Sequence, residues 1–342
     1  MSGLSTSPIF NHISIKNLHP TFGAEISGVD FSQPVPQEVF NEILTAITQF
    51  GVCAFRNTGL DDARHVAFAA QFGKLDDVTP YTAGGRAHRL SDVRLFDVGN
   101  IELDGTVFAL DNVRREWNKV SMFLTCCSHL AEGSPLIQMR QGNGLFHVDS
   151  SFNPRRAGYS LLRAHELPPA GMGGETDFAD VRTAFDELPS ALKDELREKD
   201  YIAAHSLWHS RKTAAPATFA HINPDDYPMG RHRLFQRHEA SGRETMYIAA
   251  HIHHIEGLEP EDSQALFDKL FQHATQSRYV LRISWEQPGD LILWDNTSVM
   301  HRAVGGSFEG KFRRDMRRAT VHDGSGSAWG LNERSEVRQG LP

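Results

Sequence analysis

His147 and Asp149 stand two residues apart in GLFHVDSSFN (144–153), an apolar and hydroxyl-rich run with strand character. Side chains two apart on a strand point to one face, so the pattern predicts an imidazole and a carboxylate projecting together. Such a pair begins a metal site, and it is equally an ordinary polar pair on a solvated strand. A second stretch, GDLILWDNTSVMHRAVGG (289–306), places His301 after an apolar strand that ends in Asp295 and Asn296. Two imidazoles and one carboxylate can hold non-haem Fe(II) on one face and leave positions open for oxygen and a co-substrate. A closed set of four ligands would point to structural zinc instead. The triad alone is weak, because 18 histidines in 342 residues supply many distant partners.

Further residues sharpen the pattern. KFRRDMRRAT (311–320) places Arg314 and Arg318 four apart, and GGETDF (173–178) sets Thr176 at a strand start after two glycines. On a strand Arg314, Met316 and Arg318 share a face, which aims Arg313 and Arg317 toward solvent. With these in view the chain resembles the Fe(II)- and 2-oxoglutarate-dependent dioxygenases related to taurine dioxygenase and 2,4-dichlorophenoxyacetate dioxygenase, the TauD/TfdA family. The resemblance is carried by FHVDSSF, GGETDFADVRTAFDELP, SGRETMYIAAH, GDLILWDNTSVMHR and RRDMRRAT, with GAEISGVD and VCAFRN near the start. It spans roughly residues 15–325 and is weakest across 80–140.

The resemblance implies that His147, Asp149 and His301 are the catalytic iron ligands. It implies 2-oxoglutarate as co-substrate with O2, its far carboxylate paired with Arg314 and hydrogen-bonded by Thr176. A carboxylate carried into a dry pocket does need a cation and a donor, and arginine offers a bidentate fork. Arg318 matches an arginine that faces an anionic group of the main substrate, and Asn143 falls where a polar side chain approaches it. The implied reaction oxidises an aliphatic C–H of a small carboxylate or sulfonate, with release of succinate and CO2. Two other readings remain: a non-catalytic jelly-roll metal-binding protein, and a zinc hydrolase using the same ligands. Neither gives a reason for Thr176 and Arg314 to accompany the triad.

The remaining histidines have ordinary readings. His205 and His209 are spaced to share a helix face, which as a second metal site is the less favoured reading. His251, in HIHHIEG, follows a strand near the expected pocket and is a substrate-contact candidate, although a satisfied loop histidine is the simpler reading. Trp294 and Asp295 read as strand packing and turn chemistry.

The elements that must position these residues read as mostly β with flanking helices. Many short strands broken by turns from residue 144 onward point to a double-stranded β-helix (jelly roll) core. Helices are expected over 36–51, 61–73, 181–196 and 260–276 from apolar spacing and end signals. GTVFALDN (105–112) reads as a further strand. One domain over 1–342 is expected, with an irregular insertion or lid at about 80–143 and a surface tail at about 323–342. The net charge of −8 carries no nucleic-acid footprint. No run approaches the length of a membrane span, and the first residues lack a leader pattern. Cys53, Cys126 and Cys127 cannot make a disulfide framework. A cytoplasmic enzyme with a small-molecule substrate follows, compatible with a homo-oligomer (dimer or tetramer).

Overall fold

The computed structural model describes residues 10–82, 88–110 and 146–335. Most of the expected 80–143 insertion, and Asn143 with it, lies outside those residues.

The N-terminal part builds one side of the scaffold. β1 (Ser14–Asn17) pairs antiparallel with β2 (Ala24–Ser27), and β3 (Val52–Phe55) runs parallel to β2. A parallel neighbour needs a crossover, and α1 (Gln37–Phe50) supplies it. Phe40, Ile43, Ala46 and Ile47 form its buried stripe; each large apolar side chain so buried stabilises by roughly 1.5–3 kcal/mol. Gly51 ends the helix at φ 71, a left-handed geometry that glycine adopts without a Cβ clash. α2 (Asp62–Ala70) is capped by Asp61, whose side chain accepts from the Arg64 backbone N–H. A single turn, α3 (Thr79–Thr82), and β4 (Leu95–Asp97) follow.

The rest supplies β5 (Ala157–Glu166), β6 (Thr176–Asp180), α4 (Val181–Asp186), α5 (Ser190–Lys199), β7 (Ile202–His205), α6 (Leu207–Ala214), β8 (Gly230–Arg233), β9 (Phe235–Arg237), β10 (Glu244–Met246), β11 (Ile252–Ile255), α7 (Pro260–Ala274), β12 (Val280–Ile283), β13 (Leu291–Asp295), β14 (Val299–Ala303) and β15 (Asp315–His322). The large sheet has the order β1-β2-β3-β13-β5-β15-β4. A second sheet, β12-β6-β14, faces it. Between them lie Val52, Leu162, Ile292, Trp294 and Met316 of the first sheet and Phe178, Leu281, Ile283 and Val299 of the second. A separate core on the far side of the large sheet takes the stripe of α1 and the buried face of α2. The helices α4, α5 and α7 pack against β10, β11 and their neighbours in a third core.

Four local expectations are corrected. The described part of GLFHVDSSF (146–152) is not a strand: His147 makes one isolated bridge and Asp149 begins a turn. Ser150 takes a left-handed φ of 56 there, so alternation cannot run on. The expected 181–196 helix breaks into α4 and α5 at Pro189, which has no N–H to continue the ladder. His205 and His209 do not share a helix, because His205 ends β7 and Ser206 caps α6 by accepting from the His209 backbone N–H. Within the described part of GTVFALDN, only Val107 pairs, in a bridge to Ile101. Among the described residues no helix is long and apolar enough to cross a membrane.

Candidate active site

His301 comes from β14, and His147 from the loop before β5. The two exchange both backbone bonds: the His147 N–H donates to the His301 carbonyl at 3.0 Å, and the His301 N–H returns one at 2.8 Å. Their rings are thereby set 4.3 Å apart. Asp149 is fixed by the chain and by its carboxylate. Its backbone N–H donates to Asn296 Oδ1 at 2.9 Å. Ser160 Oγ donates to Oδ2 at 2.7 Å, and Arg318 Nη1 donates to Oδ1 at 2.6 Å. His301 Nε2 lies 3.8 Å from that same Oδ1. One ligand atom from each of His147, Asp149 and His301 falls within 4.8 Å of the others, and all three residues are buried. Among the described residues no other group of three His, Cys, Asp or Glu converges so closely.

Electrostatics keep the ligands in their metal-binding forms. Burial acts to raise the Asp149 carboxyl, but Arg318 and the two imidazoles outweigh it and hold it down at about 2. Burial, and next the neighbouring His147, push His301 well below the ordinary histidine range against the pull of Asp149. An ionised carboxylate and a neutral imidazole are what a divalent ion needs. Among the described residues His301 Nδ1 has no hydrogen-bond partner. Its ring is held instead by Trp294 at 4.6 Å and Phe178 at 6.3 Å.

Thr176 starts β6 opposite Ala303, as Phe178 sits opposite His301, so Thr176 and His301 share a sheet face. Trp285 Nε1 donates to Thr176 Oγ1 at 3.3 Å, which leaves the hydroxyl proton to be donated elsewhere. Arg314 is buried, and its Nε and Nη2 donate to the Gly174 carbonyl at 3.3 and 2.9 Å. Gly174 has φ +94, and a Cβ there would stand 3.1 Å from Arg314 Nε, so the glycine is what admits the arginine. No carboxylate among the described residues forms an ion pair with Arg314. Burial lowers it to about 10, with Glu175 opposing. Arg318 lies with its guanidinium 5.2 Å from the Phe96 ring, one arm on Asp149 and its buried Nε without a partner among the described residues. His251 is buried against the metal triad, its ring 5.6 Å from His147 and its Nδ1 2.8 Å from Ser210 Oγ. Arg313 pairs with Glu166, and Arg317 joins Asp62 and Asp315, so Arg317 is ion-paired rather than solvated.

Two positioning residues escaped the sequence reading. Asn296 uses all its bonding capacity: Oδ1 accepts from Asp149 N–H and from Trp294 Nε1 at 3.1 Å, and Nδ2 donates to the Gly158 carbonyl at 3.1 Å and Ser160 Oγ at 3.0 Å. Ser160 passes the restraint to Asp149. The available signal was polarity inside apolar strands: Ser160 in YSLL and Asn296 at the end of LILWDN.

The donor set fits a divalent ion of the Fe(II) class, with two imidazoles and a carboxylate leaving positions open. The buried, carboxylate-free guanidinium of Arg314 fits an anionic co-substrate. The family model described as taurine catabolism dioxygenase TauD, TfdA family matches residues 14–320. The chain is 33% identical over 309 residues to the alpha-ketoglutarate-dependent 2,4-dichlorophenoxyacetate dioxygenase of Burkholderia sp. (strain RASC), covering 90% of this chain and 94% of that protein. It is 27% identical over 304 residues to an (S)-phenoxypropionate/alpha-ketoglutarate-dioxygenase of Sphingobium herbicidovorans, covering 87% of this chain and 90% of that one. The crystal structure of AAD-2 in complex with Mn(II) and N-oxalylglycine superposes with a TM-score of 0.76 at 30% identity, over 92% of this chain and 99% of that one.

Proposed function

The chain belongs to the taurine catabolism dioxygenase TauD, TfdA family, and we propose that it is an Fe(II)- and 2-oxoglutarate-dependent oxygenase that oxidises an aliphatic C–H of a small anionic substrate. His147, Asp149 and His301 hold the iron. The observation that carries this reading is the convergence of these three buried residues within 4.8 Å. Iron, with 2-oxoglutarate and O2, supplies the oxidising chemistry when bound, and succinate and CO2 are released.

The residues of the chain do the positioning. Arg314 gives the far carboxylate of 2-oxoglutarate a cation, and Thr176 gives it a hydroxyl donor. Ser160 and Asn296 hold Asp149 so that Oδ2 is engaged and Oδ1 faces His301. Arg318 uses one arm to fix Oδ1 and keeps N–H groups for a substrate carboxylate or sulfonate. The named relatives act on aryloxyalkanoates, which are carboxylates, and this supports a carboxylate over other anions. His251 and Asn143 are candidate substrate contacts, the first because its ring lies against His147. The two facing sheets support a jelly-roll core within a single dioxygenase domain.

The test is an anaerobic titration of Fe(II) and 2-oxoglutarate into metal-free protein. A weak visible charge-transfer band is expected from the native chain, and none from Asp149→Ala or with zinc. Succinate release is then screened across carboxylates, sulfonates and matched amides. A folded Asp149→Ala protein that still gave the band and released succinate would overturn the assignment.

A further inference from the structure

β11 carries His253 and His254 side by side. Regular alternation would send them to opposite faces. The pairing of β11 with β7 slips between Ile252 and His254, and such an irregularity re-aims a side chain. The two imidazoles consequently meet, Nδ1 to Nδ1, at 2.9 Å. Two more candidate ligands arrive from other elements. Asp225, in the short 3-10 turn Pro224–Asp226, places Oδ1 3.8 Å from His253 Nδ1. His209 of α6 stands edge-on to His253, with ring centroids 5.1 Å apart at 83°.

Without an ion, two facing ring nitrogens are compatible only if one carries a proton and the other accepts it. A metal takes the proton's role from off the N···N line, each ring turning to aim its nitrogen lone pair at the ion while the displaced proton goes to solvent. With metal–nitrogen bonds of about 2.0–2.1 Å, two ligands at a right angle stand about 2.9 Å apart, and two at the tetrahedral angle about 3.4 Å. The observed spacing matches the right angle, which tetragonal Cu(II) and Ni(II) sites use. Burial pushes His209 down to about 4 and also lowers His253, which favours the neutral rings that a metal requires.

We propose that His253, His254 and Asp225, with His209 packed behind them, form a second and more exposed site for a late first-row divalent ion of the Cu(II) or Ni(II) type, distinct from the His147–Asp149–His301 site. The two histidines give the bite, and Asp225 supplies charge. Its side chain is 64% exposed, so it can swing inward, as a third ligand in place would require. The site is therefore the weaker of the two. It ties α6, through His209, to β11. Those elements flank His251, the ring that lies against His147 and bonds Ser210 of α6.

The test is calorimetric titration of Ni(II) into untagged, metal-free protein. Two ions per chain are expected. His253→Ala/His254→Ala should bind one, and Asp149→Ala should lose the tighter site and keep the other. The single variant His254→Gln, chosen to spare the fold, should weaken the second site tenfold or more. In the Asp149→Ala background, which lacks the tighter site, Cu(II) should show nitrogen hyperfine coupling in its electron paramagnetic resonance spectrum, and adding His253→Ala/His254→Ala should remove it. One ion per chain in the native protein, or an unchanged second site in a folded His253→Ala/His254→Ala protein, overturns the proposal. Neither result bears on the first site, which Asp149→Ala reports separately.

Discussion

Arg314→Met should separate stability from ligand binding, because the native chain holds this guanidinium at a cost. Burial lowers it from the usual 12.5 to about 10; at 1.36 kcal/mol per pH unit, the fold disfavours the charge by about 3 kcal/mol. Methionine fills a similar space without a charge. It also leaves the Gly174 carbonyl without its donor, a loss of about 1 kcal/mol. The ligand-free variant should therefore be as stable as the native protein, or up to about 2 kcal/mol more stable. Binding of 2-oxoglutarate should move the other way. A buried carboxylate deprived of its cation costs roughly 3–5 kcal/mol, or about two to four decades in affinity. Thermal unfolding without ligands reads the first effect. Calorimetry of 2-oxoglutarate into Ni(II)-loaded protein reads the second, since nickel permits binding without turnover. An affinity within threefold of native refutes the role of Arg314. Losses in both measurements would mean that the substitution damages the fold and that the guanidinium is structural.

Ser160→Ala removes the donor to Asp149 Oδ2 and should weaken Ni(II) binding at the primary site by about 10–100-fold with little change in melting temperature; an unchanged affinity would show that the backbone alone fixes Asp149. Arg318→Gln should weaken an acid substrate far more than its matched amide, measured as the ratio of their kcat/KM values; retention of the native acid preference would make Arg318 purely a clamp on Asp149. His65 is buried and pushed down to about 3, first by burial and then by Arg163, so the unfolded chain takes up its proton near 6.5 and the folded chain does not. The stability tied to this group is complete above pH 6.5 and falls toward pH 3 at up to about 1.4 kcal/mol per pH unit, and His65→Gln should flatten urea-measured stability between pH 6 and 4. An identical slope in that variant would assign the acid sensitivity to other buried histidines such as His232, which burial also pushes to about 3.

What could be read from the chain was whatever local chemistry repeats. The stripe of α1 and the apolar runs of β3 and β13 follow from periodicity and length, and their pairing is antiparallel. His147, Asp149 and His301 were legible as residue types, but the reason first given for His147 and Asp149 was wrong in detail. They do not alternate along a strand. Their geometry comes from a bridge to His301 and a left-handed Ser150, and a partner so remote in sequence leaves no local trace. The break at Pro189 and the Ser206 cap were readable by ordinary rules, yet apolar spacing in the first case and the four-residue spacing of His205 and His209 in the second pulled against them. Ser160 and Asn296 were invisible for another reason. A polar residue in or beside a strand shows its purpose only when its partner is known, and both partners come from other segments.

The charges of the pocket bear on what the substrate must be. Asp149 and Arg318 are buried and neutralise each other at 2.6 Å. Arg314 is buried and has no carboxylate in an ion pair with it among the described residues. Asp149, Arg318 and Arg314 by themselves sum to one positive charge, with Glu175 acting on Arg314 without forming an ion pair. A divalent iron and a doubly charged 2-oxoglutarate add nothing to that sum, so the loaded pocket stays positive. An unbalanced buried charge is expensive, and one more anion would relieve it beside Arg318, whose Nε has no partner among the described residues. A substrate with a single carboxylate or sulfonate brings the sum to zero, and a neutral one leaves it at one. The same arithmetic predicts that Arg318→Gln, which removes a positive charge, shifts the balance toward neutral substrates rather than lowering all of them alike. Charge balance and hydrogen bonding, both through Arg318, therefore favour the anionic substrate proposed above.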